Sequence, residues 1–203
     1  MKKLLLFLTI IFAFALRGVA QQNSFAPQGA EWYFNVWGFM GAPDPFYHME
    51  VLGDTLIQGH QCSVITGQFL GGNGDQQYVY EDNRVVYWYN QTIQAFTTLY
   101  DFDADEGDSW ICEVDSCSFV VHVQSVEEVT WEGHTYRVQR VSSEGGVYYN
   151  DPAFNGAIIE GIGYERGLFP YPWACSSSVY CGGYTNYLRC YLVNDEMLYH
   201  GGY

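Results

Sequence analysis

The sequence predicts an all-β protein, an antiparallel meander folded into a barrel-like or sandwich core and stapled by disulfides. Three observations predict it. No stretch of helix length carries apolar residues at i, i+3, i+4 and i+7 between recognisable caps. Short runs of β-branched and aromatic residues recur instead, punctuated by Gly, Asn and Asp turns. The 203 residues also include 18 Tyr, 13 Phe and 6 Trp, side chains that fit a pleated, half-buried surface.

In chain order, the first element is not part of the fold. Lys2 and Lys3 precede the apolar run LLLFLTIIFAFAL (4–16), and GVA (18–20) supplies the small residues a signal peptidase reads. The run is shorter than the ~20 residues needed to span a bilayer, so cleavage before Gln21 and export of a soluble chain are expected. No cysteine near that point suggests a lipid anchor. Residues 21–203 have the length of one domain with a sizeable core.

The strand-like runs follow in order: EWYFNVWGFM (31–40), FYHMEVLGD (46–54), TLIQGHQCSVITG (55–67) and QYVYEDNRVVYWYN (77–90). The last reads as a hairpin with Tyr78 and Tyr80 on one face, a turn at Asp82-Asn83, then Val85, Tyr87 and Tyr89. AFTTLYDF (95–102), SWICEV (109–114), SFVVHVQSV (118–126), EVTWEGHTYRVQRV (128–141) and YLRCYLV (187–193) continue the series. Residues 151–173, rich in Gly and Pro, read as a long packed loop. LIQGHQCSVITG and VTWEGHTYRVQRV echo one another, each with Gly-His between two strand-like runs; two similar hairpins would explain it.

Charge narrows the partners. Without residues 1–20 the chain keeps five arginines and no lysine against 23 carboxylates, a net charge of −18. A surface so acidic repels phosphate backbones and anionic lipid, so neither nucleic-acid binding nor membrane insertion is expected.

All six cysteines lie after the signal segment, an even number in an exported chain, which reads as disulfides. Cys112 and Cys117 are expected to pair across a tight turn between strands. Cys62, Cys175, Cys181 and Cys190 complete the set, with connectivity open among them.

Candidate chemistry is sparse. LYDFDADEGDSW (99–110) resembles a calcium loop, with Asp101, Asp103 and Asp105 alternating. Counted from Asp101, however, position 6 is Glu106, the glycine falls at 107, and Cys112 stands where a bidentate Glu is needed. An acidic turn between strands is the expectation, and no metal or other cofactor is called for. The five histidines are scattered; His60 and His134 share the Gly-His context but read as turn residues. Glu160 and Glu165 in EGIGYE are the nearest thing to a catalytic acid pair. No zinc-protease, nucleophile-elbow or phosphate-loop motif occurs.

GDTLIQGHQCSVI, YVYEDNRVVYWYN, LYDFDADEGDSW, EGIGYERGLFPYPW and LRCY, in this order, resemble uncharacterised secreted proteins of Bacteroidota, many of which carry a C-terminal sorting domain for type IX secretion. The resemblance covers roughly residues 50–199. It implies no activity and no catalytic residues. It does imply a late strand at LRCY tied by a disulfide to the Cys175–Cys181 loop, and close-approach glycines in EGIG. Where that pattern has Asp-Asn-Gly, this chain has Asp82-Asn83-Arg84. No sorting domain follows MLYHGGY, so the Sec-type signal is the address expected. The function expected is a non-catalytic structural, adhesive or binding module, its partner a polysaccharide or another cell-surface protein. The alternatives are a carbohydrate-binding module using exposed Trp and Tyr, and a secreted hydrolase with an acidic pair.

Overall fold

A computed structural model describes residues 24–38, 46–67, 76–114, 117–145, 153–170 and 184–201. The described chain is all-β and antiparallel throughout, arranged as a half-barrel. A large sheet contains β1 (Ala30–Gly38), β2 (Phe46–Ile57), β3 (His60–Gly67), β4 (Gln76–Asp82), β5 (Val85–Asn90), β6 (Ala95–Asp101), β12 (Tyr184–Val193) and β13 (Glu196–His200), in the order β13-β12-β1-β2-β3-β4-β5-β6. A smaller sheet contains β7 (Ser109–Val114), β8 (Cys117–Trp131), β9 (His134–Gly145), β10 (Asn155–Ile159) and β11 (Gly163–Tyr164), in the order β11-β10-β9-β8-β7. Residues 151–173 are thus not one packed loop: within their described part, Ile158 pairs with Tyr164 and Ile159 with Gly163 in a short hairpin.

Alternation builds the core. Trp32 and Phe34 of β1, Val86 and Trp88 of β5, Val121 and Val123 of β8 all point inward at every second position. The chain crosses from large to small sheet at the acidic turn, and β6 and β7 are stitched along that seam. Glu113 N donates to Thr97 Oγ1 (2.7 Å), Trp110 Nε1 to Leu99 O (3.3 Å) and Asn90 Nδ2 to Glu113 O (3.3 Å). At the opposite seam Trp131 meets Tyr199 edge-on at 4.9 Å, and the Tyr136 hydroxyl donates to Leu198 O (2.8 Å). The EGIG turn closes on this core as its glycines predict. A Cβ at Gly163 (φ 104°) would lie 3.0 Å from Phe25 Cε2 and 3.1 Å from Leu168 Cδ2.

Among the described residues, four hairpins turn on two residues with positive φ, the type I′ geometry that suits the twist of paired strands. They are Gln58-Gly59, Asn83-Arg84, Glu132-Gly133 and Asn194-Asp195. The Gly-His echo is therefore two type I′ hairpins, β2–β3 in the large sheet and β8–β9 in the small one.

The disulfide expectations need correcting. Cys62, Cys112 and Cys190 are free thiols, which rules out both the Cys112–Cys117 bridge and a disulfide from Cys190 in LRCY to the Cys175–Cys181 loop, and leaves cysteines for one disulfide at most. Cys117 is disulfide-bonded elsewhere, and Cys175 and Cys181 lie outside the described residues. The physical reason is register. Val114 stands opposite Cys117 and Cys112 opposite Phe119, so the two cysteines are diagonal neighbours rather than partners. Diagonal pairs sit ~7–8 Å apart, beyond the Cα separation a disulfide tolerates. Cys112 packs into the core instead.

Candidate functional site

The outward face of β3–β6 departs from a plain soluble sheet. On β4, Gln77 and Val79 point inward, so Tyr78 and Tyr80 point out; on β5, Val86, Trp88 and Asn90 point inward, so Tyr87 and Tyr89 point out. On β6, Thr97 and Leu99 are buried and Phe96 and Thr98 face out. A face that would ordinarily be polar is covered by half-buried aromatic rings.

These rings pack on one another across strands. Tyr80 stacks on Tyr87 directly opposite it, centroids 4.8 Å apart and planes 18° from parallel. His60 stacks on the Tyr80 ring too (4.2 Å, 15°). Phe96 meets Tyr80 and His60 edge-on at 4.8 and 5.3 Å and lies 5.2 Å from Tyr89.

His60 arrives there because the β2–β3 hairpin does not stay in the plane of the sheet. Pairing of β3 with β4 covers only Ser63–Thr66 against Gln76–Val79, so His60, Gln61 and Cys62 run beyond that ladder. In β2 the register shifts between Val51 and Gly53, a bulge that bends the strand. The distal arm reaches across β4 and β5: the Gln58 side chain donates to Gln94 O in the β5–β6 turn (3.0 Å). Cys62, on the same side of the arm as His60, is fully buried, and burial pushes its thiol pKa up. Around the rings stand neutral amides. Besides Gln58, Gln76 accepts the Tyr78 hydroxyl and Gln91 donates to Gln76 O.

The other candidates have plainer roles. In the acidic turn, Asp101 accepts Asp103 N and Asp108 accepts Asp105 N, so two carboxylates cap the turn itself. Arg137 donates to Phe102 O, Ala104 O and Asp105, and the buried Gln139 donates to Asp101 O and Ala104 O. Arg84 lies 3.7 Å from Asp103 and 3.1 Å from Glu160. Among the described residues no group of three His, Cys, Asp or Glu side chains is placed to hold a metal ion.

Glu160 and Glu165 engage separate partners. Glu160 pairs with Arg84, whereas Glu165 accepts Ala157 N (3.0 Å) and lies 4.0 Å from Arg166. Burial pushes the Glu160 pKa up despite Arg84 and Arg137. Glu81, which the sequence did not single out, is raised the same way although its carboxylate accepts Phe25 N (2.6 Å) and lies near Arg84. His60 and His134 are not brought together: one stacks on Tyr80 in the large sheet, the other lies 6.4 Å from Tyr136 in the small one. Trp32, Trp88 and Trp110 are buried and Trp131 is partly covered, so among the described tryptophans none forms an open platform. Trp37 and Trp173 have no described side chains.

Compared with family models, curated proteins and solved structures, the chain matches none.

Proposed function

We propose that this protein is an exported, non-catalytic binding module that engages an extracellular partner through the outward aromatic face of β3–β6. The observation that carries the reading is that face itself: Tyr78, Tyr80, Tyr87, Tyr89 and Phe96 stand half-exposed where a solvated sheet would place polar side chains. Aromatic residues with a polar tip supply contact area at low entropic cost, which is why they are enriched where proteins make contacts. The arrangement of acids favours binding over hydrolysis, because Glu160 and Glu165 are each engaged by a different structural partner.

Retention on insoluble polysaccharides and on cell-surface fractions tests this directly. Replacing Tyr78 and Tyr89 together by Ala leaves the Tyr80 stack in place and is expected to cut retention at least about tenfold, the loss of about 1.4 kcal/mol of contact. Undiminished retention by that variant would place the binding surface elsewhere.

A further inference from the structure

The stack on the outward face has a geometric peculiarity. Tyr80 lies between Tyr87 on one side and His60 on the other, each nearly parallel to it. Neither face of the Tyr80 ring is available to a ligand while the hairpin tip stays down. His60 differs from the other rings in how it is held. Tyr80 and Tyr87 belong to paired strands in register, whereas His60 sits on an arm outside the β3–β4 ladder, and Gln58 ties that arm to the β5–β6 turn. An exposed tip held by a side-chain hydrogen bond and ring contacts belongs to the part of a fold that opens at low cost.

We propose that Tyr80 is the stacking platform for a pyranose ring of a neutral glycan, and that His60 occupies that place until the β2–β3 tip lifts away. This rests on the reading of the β3–β6 face as the binding surface. The chemistry of the surroundings chooses the ligand class. A pyranose presents an apolar C–H face to an aromatic ring and hydroxyls at its rim. Along the same face stand the amides of Gln76 and Gln91, tyrosine hydroxyls, the Asp82 carboxylate near Tyr80 and, once Gln58 leaves with the tip, the freed backbone carbonyl of Gln94. No lysine stands anywhere after residue 20, and the net charge of −18 disfavours an anionic chain. The tip thereby acts as an autoinhibitory strap: the apparent affinity is the intrinsic one reduced by the fraction of molecules with the strap open.

Titration calorimetry with cellohexaose, laminarihexaose and mannohexaose, on the full chain carrying Cys190→Ser, tests ligand and strap separately. Cys190 is the partly exposed free thiol among the described residues; with it replaced, Cys62 under the strap and Cys112 in the core are two buried reporters, each read by mass spectrometry of its own peptide. For a hexaose that binds, His60→Ala is expected to tighten binding about three- to tenfold, because the occupant is gone. Tyr80→Ala is expected to abolish binding. Saturating sugar is expected to speed maleimide labelling of Cys62 while leaving Cys112 unchanged, a readout on the native site that does not depend on any variant folding. Weaker binding by His60→Ala, or labelling of Cys62 that never departs from that of Cys112, overturns the strap and leaves the binding surface standing. Failure of all three hexaoses to bind either wild type or His60→Ala, with retention on cell-surface fractions intact, overturns the neutral-glycan assignment. Loss of that retention as well removes the reading on which the proposal rests.

Discussion

At the scale of single residues, Arg84 shows how a local cost is offset by a distant contact. It occupies the second position of a type I′ turn at φ 65°, where glycine is favoured and an L side chain costs roughly 1 kcal/mol. Its guanidinium then reaches Phe102 O and Glu160, a carboxylate whose side chain is only 15% exposed. Asp195 occupies the equivalent position in the β12–β13 turn at φ 66°, on an exposed tip. The two sites should respond oppositely to the same change. Asp195→Gly is expected to raise stability by up to about 1 kcal/mol by relieving the left-handed conformation. Arg84→Gly relieves the same strain but strips a half-buried carboxylate of its cation, for a net loss of about 1–2 kcal/mol. Chemical denaturation of both variants at neutral pH decides this, and a stabilised Arg84→Gly would show that the Glu160 pair contributes little.

Elements were largely legible in the sequence, and their departures from the ladder were not. Alternation in QYVYEDNRVVYWYN puts Tyr78 with Tyr80; the structure adds Tyr87 and Tyr89 to the same face and sets the turn at Asn83-Arg84, one residue later than the expected Asp82-Asn83. The Gly-His echo marks two real hairpin turns. What the pattern cannot carry is the direction of a strand after a bulge. The register shift at Val51/Gly53 sends the β2–β3 tip across β4 and β5, and so brings His60 to Tyr80 and Gln58 to Gln94. Those contacts depend on curvature, for which no residue spacing is a code. The Cys112–Cys117 expectation failed for a related reason: sequence proximity suggested opposition, but pairing of Val114 with Cys117 makes the two cysteines diagonal. The strand EGIGYE conceals was missed because its five-residue partner sits among glycines. Cys112 yields a check at this scale. Burial first of all pushes its thiol pKa up to about 12, against the hydrogen bond from Thr97. Of the three described free thiols, Cys190 is expected to label fastest in native protein at pH 8, with Cys112 reacting only at the rate of global unfolding. Prompt labelling of Cys112 would contradict its place in the core.

Over the whole molecule, the two sheets are held by an apolar core threaded with polar ties, of which Tyr100 is one. Its buried hydroxyl donates to Leu168 O and accepts from Tyr164 N. Tyr100→Phe keeps the ring and strands both backbone groups, for an expected loss of about 2–4 kcal/mol. Trp32 Nε1, donating to Ile162 O at 2.9 Å, is a second such tie. Charge adds a pH dependence of definite sign. Burial raises the pKa values of Glu81 and Glu160; the Glu160 charge raises Glu81 further, and Asp103 does the same to Glu160. A carboxylate whose folded pKa lies above its unfolded one binds its proton more tightly in the folded state. Its stabilising contribution is therefore complete below the unfolded value of about 4.3, and is lost as pH rises through the higher folded value. Stability is thus expected to decline from mildly acid towards neutral pH, in the same direction as the self-repulsion of a chain with net charge −18 after residue 20. Glu81→Gln separates the two effects, because the amide oxygen can still accept Phe25 N while the charge is gone. Its unfolding free energy, followed by urea titration from pH 4 to pH 7, should fall less steeply than that of the wild type. An unchanged slope would mean that Glu81 pays no desolvation cost in the folded protein, and that the pH dependence belongs to the net charge alone.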